Sequence, residues 1–248
     1  MTKTIVITGG SRGIGRATAL LCAKRGWNTV ISYVGNKEAA EQTQADCENA
    51  GGKCVIERCD VACEQDVISL FASAINGFGT LDGVVNNAGI VASPQPIIDM
   101  DIARMQRIFD TNILGAYIVA REAARHMVRS RGGAGGAIVN VSSMAAKLGG
   151  PNEYVDYAGS KGAMDAMTIG LSKELGPEGV RVNAVRPGII ETDIHASGGR
   201  PNRAADLGPG CPLGRAGKAE EVAESIIWLL DDASSYVTGA FMDVSGGR

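Results

Sequence analysis

A chain of 248 residues that is 45% hydrophobic but only 4% aromatic reads as one α/β domain with an aliphatic, alanine-rich core. Its net charge of -3, with acids and bases interspersed, offers no basic face to nucleic acid. The longest apolar runs, such as 113–120, are far too short to span a membrane.

Short aliphatic or β-branched runs alternate with longer helical patterns, which predicts repeated βαβ units. The first strand, 4–8, starts so early that no secretory signal is expected ahead of it, and a cytoplasmic protein is predicted. It leads into Thr8-Gly-Gly-Ser-Arg-Gly-Ile-Gly15 and then a helix. Glycines let such a loop turn tightly and approach an anion, while the free N–H groups and positive end of the helix attract a pyrophosphate. Gly9, Ser11, Arg12, Gly13, Ile14 and Gly15 are therefore expected to hold a dinucleotide. A lone glycine triplet would be weak, but strand, loop and helix come in the required order.

Further strands are predicted at 29–33, 53–58 and 83–86, the last closing on Asn86-Asn-Ala-Gly89. One long helix, 101–131, is expected to carry Asn112 and to end in the glycine turn 132–136. The fifth strand, 137–141, runs into Ser142 and Ser143. Tyr157 and Lys161 follow on a helix, four residues apart and so on one face. A tyrosine titrates near ~10, and a neighbouring cation lowers that value, so the two form an acid/base device. By itself this spacing is more often a solvated helix face.

A sixth strand, 181–185, precedes Pro187-Gly188, and a seventh is expected at 240–244. Between them, 192–217 contains glycine–proline clusters and no sustained period, the mark of an active-site lid. Cys22, Cys47, Cys54, Cys59, Cys63 and Cys211 are expected to be reduced thiols. His126 and His195 lie far from the cysteines in sequence, and no metal site is predicted. With no repeat or linker, residues 1–248 read as a single domain.

The spacing Gly9-x-x-x-Gly13-x-Gly15, Asn86-Asn-Ala-Gly89, Thr111-Asn-Ile-Leu-Gly115, Tyr157-Ala-Gly-Ser-Lys161 and Asn183-Ala-Val-Arg-Pro-Gly188 together resemble the short-chain dehydrogenases/reductases in their single-domain form. The resemblance runs from Thr4 to the carboxyl terminus. It implies a Rossmann-type, doubly wound fold with a seven-stranded parallel sheet and helices on both faces. It also implies hydride transfer between a nicotinamide and a small carbonyl or alcohol substrate, in a homotetramer. Tyr157 would be the general acid/base, and Lys161 would lower its pKa and bind the nicotinamide ribose. Ser143 would donate to the substrate oxygen, and Asn112 would hold a water that relays protons. Asp60, Val61, Asn87, Ala88, Gly89, Pro187, Gly188, Ile190 and Thr192 would complete the cofactor site. Met164 and Thr168 are expected to share the cofactor face of the Tyr157 helix.

No acid ends the second strand before Glu38, while Arg12 and Lys37 can neutralise a 2′-phosphate, so NADP(H) is favoured over NAD(H). The interval from Ser143 to Tyr157 is 14 residues, one longer than is usual in the family. The extra residue is expected to bulge within 147–156 and reshape one wall of the substrate pocket. The substrate itself stays open: a broad carbonyl reductase, a 3-oxoacyl-carrier-protein reductase and a glucose 1-dehydrogenase-like sugar dehydrogenase all fit. A nicotinamide-binding sensor without turnover does not need Ser143, Tyr157 and Lys161 together.

Overall fold

The computed structural model describes residues 2–248. Seven strands form its main sheet: β1 (Thr4–Ile7), β2 (Asn28–Tyr33), β3 (Cys54–Arg58), β4 (Gly83–Asn86), β5 (Gly136–Val141), β6 (Val180–Pro187) and β7 (Phe241–Val244). All pair in parallel, in the order β3-β2-β1-β4-β5-β6-β7. The expected doubly wound, seven-stranded sheet is what the chain adopts.

Both faces of the sheet are buried, which is why its central strands are almost wholly aliphatic. Successive side chains alternate between two cores. Ile5, Ile7 and Ile31 join one apolar layer with Cys22, Cys47 and Ile226. Those partners lie on helices α1 (Gly13–Lys24), α2 (Lys37–Asn49) and, near the end of the chain, Ala219–Leu230. Val6, Val30 and Val84 join the other layer with Phe71, Val119 and Leu175. These come from α3 (Glu64–Phe78), α5 (Ala116–Met127) and α6 (Val155–Leu175), with α4 (Ile102–Phe109) ahead of α5.

The strand order turns back between β1 and β4, so their carboxyl ends open a crevice at the switch point where such sheets bind ligands.

Two expectations about the elements need correction. The helix predicted over 101–131 is not continuous: α4 ends at Phe109, a π-helical segment Asp110–Gly115 follows, then α5, and a 3-10 turn Arg129–Arg131. A π-helical turn changes the bonding to i→i+5 over only a few residues, too short a stretch to stand out in a helical period. At its end a β-carbon on Gly115 would lie 2.7 Å from Val61 Cγ2, so glycine lets the helix approach β3's exit loop. The segment 192–217 is also more regular than predicted. It holds short helices Ile194–Ser197 and Arg203–Leu207 and a 3-10 turn Gly208–Gly210, each too brief to show a period. Its base is stapled by parallel pairing of Ile190–Glu191 with Gly217–Lys218.

Among the described residues, no helix is long and apolar enough to cross a membrane.

Candidate active site

The crevice is a cleft of about 920 Å³. Its floor at one end is the glycine loop after β1. Gly9 and Gly13 take left-handed backbone conformations (φ 64° and 55°), where a side chain would be strained. Gly15 does not line the cleft; a β-carbon there would lie 2.4 Å from the Gly9 carbonyl, so it keeps the loop folded on itself. Helix α1 begins at Gly13, and Arg12 supplies no side-chain cap to its first turn. N–H donors of the first helical turn therefore have no side-chain cap to compete with an anion.

Asn87 fastens this loop to β4. Its Nδ2 donates to the carbonyls of Thr8 (2.8 Å) and Gly9 (3.1 Å), and its backbone N–H donates to Thr8 Oγ1. Ser32 Oγ accepts from the Gly9 N–H at 3.0 Å. Thr8 and Ser32 are thus structural members of the site that glycine spacing alone does not reveal.

The cleft continues past Asp60, Val61, Ala88 and Gly89 to Ser143, Tyr157 and Lys161, and is closed by Pro187, Gly188, Ile190 and Thr192. A β-carbon on Gly13 would sit 3.4 Å from Thr192 Cγ2, so the phosphate loop and the segment after β6 meet. Between Ser32 and Asn36 the cleft wall has no carboxylate, and Arg12 faces it. Lys37 does not line the cleft as expected, because its Nζ is paired with Glu41 Oε1 at 2.8 Å along α2.

Tyr157 lies in the first turn of α6 and shares the cleft wall with Ser143. Lys161 is one turn further on, with only 3% of its surface exposed. Its Nζ donates to the Val141 carbonyl at 2.8 Å and stands 5.7 Å from the centre of the Tyr157 ring. Burial disfavours both charged forms. It pushes the Tyr157 phenol up, against a smaller lowering by Ser143. It pushes the Lys161 ammonium down to about 8, opposed by the charge of Asp165. In the protein alone burial is the dominant influence on Tyr157.

Ser142 turns away from this pair. Its Oγ donates to Asp165 Oδ1 (2.7 Å) and to the Lys161 carbonyl (3.3 Å). The 14-residue interval keeps Ser143 and Tyr157 on one cleft. Gly149, Gly150 and Asn152 all adopt positive φ (77°, 55° and 62°), a conformation asparagine tolerates better than most residues. The loop so made places Leu148, Pro151, Glu153 and Tyr154 on the cleft wall.

Asn112 is fully buried behind the cleft, in the π-helical segment. Its Oδ1 accepts from the Ile90 N–H (2.8 Å), and its Nδ2 donates to the Ile90 carbonyl (2.9 Å) and Ser160 Oγ (3.1 Å). Ser160 in turn donates to the Tyr157 carbonyl. Gly89 makes room here, since a β-carbon would lie 3.3 Å from Asn112 Oδ1 and 3.5 Å from Lys161 Nζ. Met164 and Thr168 do not face the cleft. Met164 packs on Ala116 and Ala120, and Thr168 Oγ1 accepts from Asn140 Nδ2 beneath the sheet edge. No group of three or more His, Cys, Asp or Glu among the described residues is placed to hold a metal.

The sequence comparisons agree with this architecture. The family model described as enoyl-(acyl carrier protein) reductase matches residues 9–248. An uncharacterized oxidoreductase, YgfF of Escherichia coli, is 47% identical over 98% of each chain. Glucose 1-dehydrogenase 2 of Bacillus subtilis is 34% identical, covering 99% of this chain and 94% of its own. Among solved structures, a short-chain type dehydrogenase/reductase from Mycobacterium marinum superposes with a TM-score of 0.92 at 35% identity, over 99% of this chain and 94% of that one. A 3-ketoacyl-(acyl-carrier-protein) reductase from Brucella melitensis, complexed with NADH, gives 0.91 at 31% identity, over 99% and 98%. The chain belongs to the short-chain dehydrogenase/reductase family. It is an oxidoreductase of the alcohol–carbonyl class that binds a nicotinamide cofactor.

Proposed function

We propose that the protein is an NADP-dependent oxidoreductase that interconverts a small carbonyl compound and its alcohol, with Tyr157 as general acid/base. The observation that carries this reading is the placing of Ser143, Tyr157 and buried Lys161 on the same cleft as the phosphate loop. The bound nicotinamide supplies or takes the hydride. In reduction, Ser143 Oγ–H steadies the substrate oxygen as charge develops on it, and Tyr157 delivers the proton to that oxygen. Lys161 holds positive charge behind the phenol and binds the nicotinamide ribose. Because both ends of the Asn112 amide are engaged, a relay water at that residue would sit on its backbone carbonyl. Gly9, Ser11, Arg12, Gly13 and Ile14 would hold the pyrophosphate, with Gly15 shaping the loop. Asp60 and Val61 would border the adenine, and Asn87 to Gly89 with Pro187, Gly188, Ile190 and Thr192 the nicotinamide half.

The NADP preference rests on Arg12 and on the missing carboxylate between Ser32 and Asn36. Two similar structures carry NADH or NAD+, so titration is the arbiter: NADPH is expected to bind more tightly than NADH, and the reverse order would contradict the assignment. A carrier-protein substrate is the less favoured reading. It needs a basic rim, yet Arg200 and Arg203 are paired with Glu153, and Arg215 with Glu221. A panel of ketones and aldehydes read through NADPH absorbance tests the function; absence of turnover with the cofactor bound would refute it.

We read residues 1–248 as one catalytic domain, with 192–217 as the substrate lid. Free thiols at all six cysteines suit a cytoplasmic protein. A homotetramer is proposed from apolar exposure on neighbouring helices, at Phe109, Leu114, Tyr117 and Ile169. On α6, Gly159, Gly162 and Gly170 have open space where a side chain would stand. Light scattering at micromolar concentration is expected to give a tetrameric mass, and a monomeric mass would contradict it.

A further inference from the structure

The loop lengthened by one residue carries a charge that the chemistry above does not use. Glu153 lies between the cleft and the short helices of 192–217. Its carboxylate meets two cations from that segment: Oε1 pairs with Arg200 Nη1, and Oε2 lies 2.8 Å from Arg203 Nη1. The Arg203 contact is one of charge rather than an aligned hydrogen bond. The Arg203 guanidinium also lies over the Tyr154 ring, 4.9 Å from its centre. Only 13% of the Arg203 side chain is exposed, whereas that of Arg200 is 44% exposed and open to salt.

The backbone of Glu153 is itself anchored. Its carbonyl accepts from the Gln95 N–H (3.0 Å) and from Arg104 Nη2 (3.4 Å). The same guanidinium holds Asp156, next to Tyr157. The 192–217 segment also rests on the loop after β4 through glycines. A β-carbon on Gly198 would lie 2.8 Å from Val91 Cγ1, and one on Gly199 2.9 Å from Ser93 Oγ. The segment is thus fitted by shape to the loop after β4 and held by charge to Glu153.

We propose that Glu153 is a positioning residue: through Arg200 and Arg203 it holds the 192–217 segment over the substrate end of the cleft. That the segment covers substrate rests on the reading above; the latch itself does not. Hydrogen exchange of the unliganded protein tests it without turnover. In Glu153→Gln, which keeps shape and loses charge, amides across 194–207 are expected to exchange on the order of fivefold faster, with β5 unchanged. Glu153→Asp is expected to recover most of the protection. Raising salt is expected to speed exchange of the segment in the wild type and to leave Glu153→Gln unaffected. For any accepted substrate, KM rises in Glu153→Gln while kcat holds, a split that general loss of structure would not produce. Equal protection in wild type and Glu153→Gln at low salt would overturn the latch, whatever becomes of the assigned reaction.

Discussion

Replacing Tyr157 by phenylalanine is expected to lower kcat by ~10²- to 10⁴-fold, the usual contribution of a positioned proton-transfer group, while NADPH affinity is retained. The substitution removes one oxygen. The ring stays in place at the start of α6, and Lys161 keeps its bond to the Val141 carbonyl. What goes is the proton that must reach the substrate oxygen as hydride reaches its carbon. The pH dependence follows from the two opposed shifts. With the Lys161 pKa at about 8, the ammonium is charged below that pH and neutral above it. Burial raises Tyr157, so the phenol keeps its proton through the same range. The kcat/KM for reduction is therefore expected to be flat on the acid side and to fall as pH rises through about 8. Lys161→Arg, which stays charged, is expected to remove that break. An unmoved break would assign it to another group.

The second large effect is on stability. Arg104→Ala is expected to cost about 3–5 kcal/mol, because it strands a buried carboxylate. In the intact protein Arg104 Nε donates to Asp156 Oδ2 at 2.7 Å, with the two side chains 8% and 1% exposed. Arg104 Nη1 also donates to the Ser93 carbonyl and to Gln95 Oε1 (3.1 Å). Asp156 in turn accepts from the Tyr157 N–H at 2.9 Å. One guanidinium therefore ties α4, the loop after β4 and the start of the catalytic helix. For a chain of this size the loss corresponds to a fall in Tm of roughly 6–20 °C. Thermal unfolding checks it, and a change of about 1 °C would contradict the assigned role of the pair.

Much of this was legible in the chain because it is local. The Val/Ile runs of β1, β2 and β5, the glycine loop and the Tyr157–Lys161 spacing each depend on neighbours within a few residues. What was not legible depends on burial or on distant partners. Lys161 stands four residues from Tyr157, but nothing in that spacing reveals that both are desolvated or that Lys161 Nζ bonds a carbonyl on β5. Met164 and Thr168 share a helix face with Tyr157, yet a rise of about 1.5 Å per residue carries them about 10 and 16 Å beyond it, under the sheet edge. Lys37 had a suitable charge and position, but Glu41 one turn away takes it up. Glu153 and Arg203 are 50 residues apart in sequence, and only the fold makes them a pair. The interval from Ser143 to Tyr157, by contrast, was visible as a length, and it contains three left-handed residues, at 149, 150 and 152.

The central claim is that Tyr157 moves the proton while the cofactor site stands independently of it. Its most direct test is a paired measurement on wild type and Tyr157→Phe: NADPH titration by fluorescence, and turnover of one accepted carbonyl substrate read through NADPH absorbance. Equal binding with turnover lost in the variant is the predicted result, and Tyr157→Phe turning over at the wild-type rate would contradict it.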